Sequence, residues 1–274
     1  MNADNPARVT EDARRIASWI RERIGARIEG TLVLGSGWSP VARNLSDCTC
    51  WPYEEIPGLP ATTIEGHPGE LVVGRWHGVH IATFAGRYHE YEGHPARTVT
   101  LSAQIACELG CSWYICTNAS GGITGLYSPG DLVVIEDDLE VFPRGHSTPH
   151  AGSVYSPVLR DELVDAARVS GVPISSGVLA YMTGPNYESS AEVRMLRVAG
   201  ATLVSMSTLP EARAAYALSL DVGAISCVTN VAQCIGGRPL RHRDVLEALE
   251  GAAEKAGRFL GAWLRTKANM SQSH

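Results

Sequence analysis

The chain of 274 residues carries a formal net charge of −6 and is 45% hydrophobic, which suits one large α/β domain with a sizeable core. Few lysines, scattered arginines and no basic stripe argue against nucleic acid as a partner. The polar N-terminal stretch and the lack of any apolar run of membrane-spanning length point to a soluble, cytoplasmic protein without a membrane partner. Cys48, Cys50, Cys107, Cys111, Cys116, Cys227 and Cys234 contain no CxxC pair and read as reduced, mostly structural thiols.

In chain order, Thr10 caps a helix whose first turn holds Glu11 and Asp12, and Ala13, Ile16, Ala17, Ile20 and Ile24 mark its apolar face. Thr31 to Leu34 is a short apolar strand running into Gly35, Ser36 and Gly37. That turn is either a plain tight turn or a phosphate cradle, in which glycines let backbone N–H groups approach an oxyanion and Ser36 adds a hydroxyl. Pro40 stands where a dinucleotide fingerprint needs a small residue, which sets that reading aside.

Leu71–Gly74 and Val79–Phe84 predict a hairpin across a Trp-His-Gly turn. Next comes Arg87-Tyr88-His89-Glu90-Tyr91-Glu92-Gly93-His94. This is either a solvated polar loop or an anion site, with Arg87 holding a phosphate dianion bidentately and His89 donating to it. A zinc helix needs His at i and i+4 around a Glu, and His89 and His94 lack that spacing, so no metal is expected. Arg97–Leu109 reads as a helix, Trp113–Cys116 as a buried strand emptying into Thr117-Asn118-Ala119-Ser120-Gly121-Gly122, Leu132–Ile135 as a strand, and Phe142–Pro157 as a loop.

Helices and strands then alternate over 158–170, 177–182, 188–199, 202–206, 209–219, 223–229 and 242–266, implying βα units and a largely parallel or mixed sheet. Within this half, Gly184 and Pro185 fix a turn before Tyr187, a flat face for a planar ligand, and Glu188, a double acceptor. Glu188 opens a helical pattern carrying Ala191, Met195 and Val198, so it is equally a capping acid favoured by the helix dipole. Met206 ends an apolar strand, as a core residue would, and Ser207 and Thr208 offer hydroxyls. Asn230 ends another strand, either as a turn former or facing a heterocycle. His242 precedes the last helix, where it caps it or reaches a ligand; Val245, Leu249, Ala252, Ala256, Phe259, Leu260 and Trp263 dock that helix onto the core.

Taken in order, GSG at 35–37, the segment around His67, GRYHEYEGH at 86–94, TNASGG at 117–122, GPNYESSAE at 184–192, SMSTLPE at 205–211, VTN at 228–230 and His242 resemble the trimeric purine nucleoside phosphorylases and their methylthioadenosine phosphorylase relatives. The resemblance runs from about residue 30 to about residue 265. It implies a single α/β domain over 1–274 with a mixed, partly barrel-like central sheet flanked by helices, and a homotrimer. It also implies a phosphate site of Ser36, His67, Arg87, His89, the backbone of Ala119 and Ser207. Ribose contacts are implied from Tyr91, Met206 and His242, and a purine site from Tyr187, Glu188 and Asn230. Glu188, Asn230 and His89 become the catalytic group. Inorganic phosphate is the co-substrate, and no cofactor is required.

A 6-oxopurine carries a proton on N1 that an ionised Glu188 accepts, whereas N1 of adenine is itself an acceptor, so the resemblance implies inosine- or guanosine-like substrates. A methylthioadenosine-type phosphorylase and a catalytically silent nucleoside binder are the alternatives, the latter opposed by the phosphate-site residues. Two features depart from the family: Trp38 adds bulk beside the GSG turn, and the loop from Asp138 to Tyr155 is short where relatives receive an aromatic from a neighbouring subunit, so that either Phe142 fills that place or the pocket is open on that side.

Overall fold

The alternation of strands and helices closes on itself. The computed structural model describes residues 8–64, 67–141, 152–231 and 242–271, with the backbone alone for 242–248, 250 and 271. Helix α1 (Glu11–Ile24) starts where Thr10 Oγ1 accepts the Ala13 N–H and stops at Gly25, whose φ of 62° takes the left-handed cap. It buries Ala13, Ile16, Ala17 and Ile20 completely, and each isoleucine so removed from water contributes about 1.5–3 kcal/mol.

Strand β1 (Gly30–Leu34) lies between β4 (Val79–Ala85) and β5 (Trp113–Gly122), parallel to both. The predicted hairpin is present as β3 (Glu70–Trp76) with β4, joined through His77 and Gly78. A strand that the sequence pattern did not show, β2 (Ser46–Pro52), pairs antiparallel with β3. It is exposed along nearly its whole length and carries Cys48 and Cys50 at the surface, whereas Cys111, Cys116 and Cys227 are buried. Cys234 lies outside the described residues.

The second half supplies β6 (Leu132–Glu140), β7 (Ile174–Tyr181), β8 (Leu203–Ser205) and β9 (Asp221–Val231). The sheet order is β2-β3-β4-β1-β5-β8-β7-β6-β9, and β5 also pairs with β9. That last pairing closes β5, β8, β7, β6 and β9 into a barrel, with parallel and antiparallel neighbours mixed. A parallel pair needs a long crossover, and helices α3 (Leu101–Leu109), α4 (Pro157–Val169), α5 (Ser190–Val198) and α6 (Leu209–Ala217) provide them. The final helix, α7 (His242–Ser271), buries Leu249, Ala252, Ala256, Phe259, Leu260 and Trp263 as expected. The side chain of Val245 is outside the described residues. Among the described residues no helix is long and apolar enough to cross a membrane.

Several expectations are corrected. The 97–109 helix is broken at Thr100 into α2 (Ala96–Val99) and α3. The polar run TNASGG is the second half of β5, its backbone paired with β9 from Thr117↔Ile225 to Gly122↔Val231 with one register shift between Ser120 and Gly121. Asp138 to Glu140 belong to β6, so the loop begins later than the sequence suggested. On α5 the buried residues are Val193 and Leu196; Met195 is 39% and Val198 88% exposed. Trp38 does not crowd the GSG turn: it is 1% exposed, packed with Val41, Leu45 and α7, and its indole N–H donates to Asn118 O at 2.9 Å.

Candidate active site

The polar residues singled out in the sequence meet where β1, β4, β5 and β8 end. Ser36 follows β1 in a turn held by Trp38 N–H donating to Gly35 O at 3.0 Å. Gly35 is required here: a Cβ would stand 2.7 Å from Thr117 O and 3.4 Å from Arg87 Nη2. Ser36 Oγ is 3.1 Å from His67 Nε2. The other nitrogen of His67 is 3.3 Å from both the Arg87 N–H and the Arg87 carbonyl, one of which it pairs with according to its tautomer. Burial, then the charge of Arg87 and the neighbouring His89, bring the His67 pKa down to about 4.

His67, His89 and Tyr91 form a column, with ring centroids 5.5 Å apart for the first pair and 4.8 Å for the second, at interplanar angles of 22° and 21°. Glu92 anchors it by accepting from the His89 N–H and Nδ1 and from Thr63 Oγ1. Burial lowers the His89 pKa against the pull of Glu92. Glu92 is itself held below the ordinary carboxylate range, because these hydrogen bonds outweigh the effect of burial.

Arg87 follows β4 and is 4% exposed. Its Nη1 lies 2.8 Å from Glu211 Oε1 and donates to Thr208 Oγ1 at 3.0 Å. Its Nη2 donates to Thr117 O and, at 3.4 Å, to Val33 O. The guanidinium therefore faces protein acceptors through both Nη groups, and Nε has no partner among the described residues.

From Arg87 the contacts continue. Thr208 Oγ1 accepts from Asn118 Nδ2 at 2.7 Å and lies 3.5 Å from Ser207 Oγ. Ser207 Oγ is 3.3 Å from Ser205 Oγ, which donates to Ala119 O at 3.0 Å. Ser36, His67, Arg87, His89, Ala119 and Ser207 are thus joined in one network of contacts.

Tyr91 and Met206 flank Gly184, where a Cβ would meet Met206 Sδ at 2.5 Å and Tyr91 Cδ1 at 3.0 Å. Met206 is half-buried just after β8 rather than closing the core. Asn230 stands opposite Gly121 in the β5–β9 register, and Thr229 Oγ1 donates to its Oδ1 at 2.9 Å, leaving the Asn230 amide N–H₂ to point elsewhere. Glu188 is half-buried, and burial raises its pKa while its own N–H opposes the rise. It is not the capping acid of α5. Ser189 is the N-cap, and its hydroxyl and the Glu192 carboxylate form the capping box. Tyr187 is 72% exposed. The side chain of His242 and all of Phe142 lie outside the described residues.

Three residues that serve this centre were missed in the sequence: Glu92, Asn118 and Glu211. The spacing Thr208-x-x-Glu211 looks like a capping box, yet Thr208 makes no side-chain cap and Glu211 is 2% exposed against Arg87. Burial of an acid, invisible in a local spacing, is its signal.

The sequence model described as "Phosphorylase superfamily" matches residues 31–265. The chain belongs to that family. It is 35% identical over 263 residues to purine nucleoside phosphorylase 1 of Geobacillus stearothermophilus, covering 92% of this chain and 96% of the relative. It is 39% identical over 256 residues to the purine nucleoside phosphorylase of Mycobacterium tuberculosis, covering 91% and 94%. A solved structure of a schistosoma purine nucleoside phosphorylase in complex with hypoxanthine superposes with a TM-score of 0.85 at 28% identity, over 94% of this chain and 98% of that one.

Proposed function

We propose that the chain is a purine nucleoside phosphorylase, a single domain that cleaves the N-glycosidic bond of 6-oxopurine ribo- or deoxyribonucleosides with inorganic phosphate. The observation that carries this reading is the unbroken set of contacts from Ser36 through His67, Arg87, Thr208 and Ser207 to Ala119, beside the Tyr91–Met206 pair. Phosphorolysis passes through a ribosyl cation-like transition state. The enzyme must hold an anion on one face of the sugar and stabilise a departing purine anion on the other.

In this reading Ser36, His67, Arg87, His89, the Ala119 backbone and Ser207 hold phosphate, and Tyr91, Met206 and His242 hold the sugar. Tyr187 covers the base. Glu188 accepts N1–H, and Asn230 donates to N7 as negative charge builds there. No electron transfer or Lewis acid enters this chemistry, so phosphate is the only co-reactant, and the working form is a homotrimer. Incubation with inosine and phosphate should release hypoxanthine and ribose 1-phosphate, with no release when phosphate is omitted. Absence of base release from inosine, guanosine and their deoxy forms would overturn the proposal.

A further inference from the structure

Arg87 is held by an internal carboxylate. Both members of the Arg87–Glu211 pair have side chains only 2% exposed, and their nearest atoms are 2.8 Å apart. Glu211 stands in the first turn of α6, where the helix dipole favours a negative charge. The pair is locked by Thr208, whose φ of 80° is unusual for any residue but glycine and costly for a β-branched one. That backbone sets Thr208 Oγ1 between Arg87 Nη1 and Asn118 Nδ2, and Ser226 Oγ fixes the other end of the Asn118 amide. A conformation this unfavourable, at a residue whose hydroxyl is fully used, points to a device that aims the guanidinium.

We propose that Glu211 is a positioning residue that sets the affinity of this enzyme for phosphate: it fixes the Arg87 guanidinium by its Nη1 corner and cancels one unit of positive charge beside the anion. The proposal rests on Arg87 belonging to the phosphate site. Its consequence is that phosphate meets a partly neutralised arginine and that the anionic sugar-phosphate product can leave. Both anions are held less tightly than a free guanidinium would hold them.

The test separates charge from position. Glu211→Gln keeps the shape and the acceptor but removes the charge. Its phosphate Kd, read by calorimetry, and its phosphate KM should fall about tenfold, with kcat falling as product release slows and nucleoside KM unchanged. Glu211→Asp keeps the charge but shortens the reach, and should raise phosphate KM instead. A purely structural role would lower the unfolding midpoint of both variants and leave phosphate Kd where it was; that result, or weaker phosphate binding by Glu211→Gln, overturns the proposal. Should Glu211→Gln not fold, Thr208→Ala removes the other contact of the same Nη1 atom and should raise phosphate KM, and an unchanged value would overturn the proposal equally. If the wild type releases no base with phosphate, the activity reading fails by itself, while the calorimetric comparison still decides the role of Glu211.

Discussion

Glu92 Oε1 accepts two hydrogen bonds from one residue, His89, at 2.7 Å from its backbone N–H and 2.9 Å from its ring Nδ1. An ionised carboxylate only accepts, so Nδ1 carries the proton. Burial keeps the ring neutral, and Nε2 then presents a lone pair. In this state His89 has no ring proton to offer a bare phosphate oxygen, and in the proposed phosphate site it would accept the proton of hydrogen phosphate. Glu92→Ala is expected to cost about tenfold in kcat/KM for phosphate. Glu92→Gln should cost less, because its Oε1 still accepts from the His89 backbone N–H and Nδ1 while its N–H₂ faces the Thr63 hydroxyl, which can accept. Kinetics with phosphate as the varied substrate check this, and an unaltered value for Glu92→Ala would refute the tautomer argument.

Glu188 should impose opposite pH trends on two kinds of base. Burial is the main cause of its raised pKa, and Glu192 adds to the rise. Above that pKa the carboxylate accepts N1–H of a 6-oxopurine. As pH falls through it, the protonated acid can donate to N1 of a 6-aminopurine. The kcat/KM for inosine should therefore fall, and that for adenosine rise, as pH is lowered from neutral through this raised pKa. Glu188→Gln should remove about 2–4 kcal/mol of transition-state stabilisation with inosine and bring the two pH trends together. Parallel trends in the wild type would show that Glu188 does not read the base.

Much of this was legible because local rules suffice at certain residues. Thr10, Glu11 and Asp12 mark the start of α1, and Phe259, Leu260 and Trp263 mark the buried side of α7. Other features depend on distant partners. The run TNASGG is polar, yet β9 and β8 satisfy its backbone, and no local pattern can show that. Helix α5 carries two apolar stripes within nine residues, and only packing selects Val193 and Leu196 over Met195 and Val198. Strand β2 lacks a buried face, so alternation never marks it. At the site, Ser36, Arg87 and Ser207 were recognisable one by one, while the acid that aims Arg87 comes from a helix far along the chain.

His67 should make the fold acid-sensitive. Its folded pKa of about 4 lies below the ordinary value of 6.5, with burial the first cause and Arg87 the second. Between those values the unfolded chain binds a proton that the folded protein does not. The stabilisation is fully present above the unfolded pKa and is lost as pH falls through the folded one, roughly 3 kcal/mol in all. Urea unfolding across that window should show stability dropping with pH, and His67→Gln should flatten the slope. A variant with the wild-type slope would assign the acid sensitivity elsewhere.

The turn that carries Ser36 should tolerate no side chain at its second glycine. Gly37 has a φ of 78°, and a Cβ there would stand 2.5 Å from Leu249 Cβ and 2.6 Å from Leu249 Cδ1 on α7. Gly25 has a similar φ of 62° but nothing within 4 Å of its Cβ position. Alanine at Gly25 meets only the left-handed backbone penalty, about 1 kcal/mol. Alanine at Gly37 meets that penalty and must also push α7 away, for a total of about 2–4 kcal/mol. Because Ser36 moves with its neighbour, Gly37→Ala should also raise phosphate KM, whereas Gly25→Ala should leave it alone. Chemical unfolding and phosphate kinetics of the two variants side by side check both parts, and equal losses would show that α7 does not brace the turn.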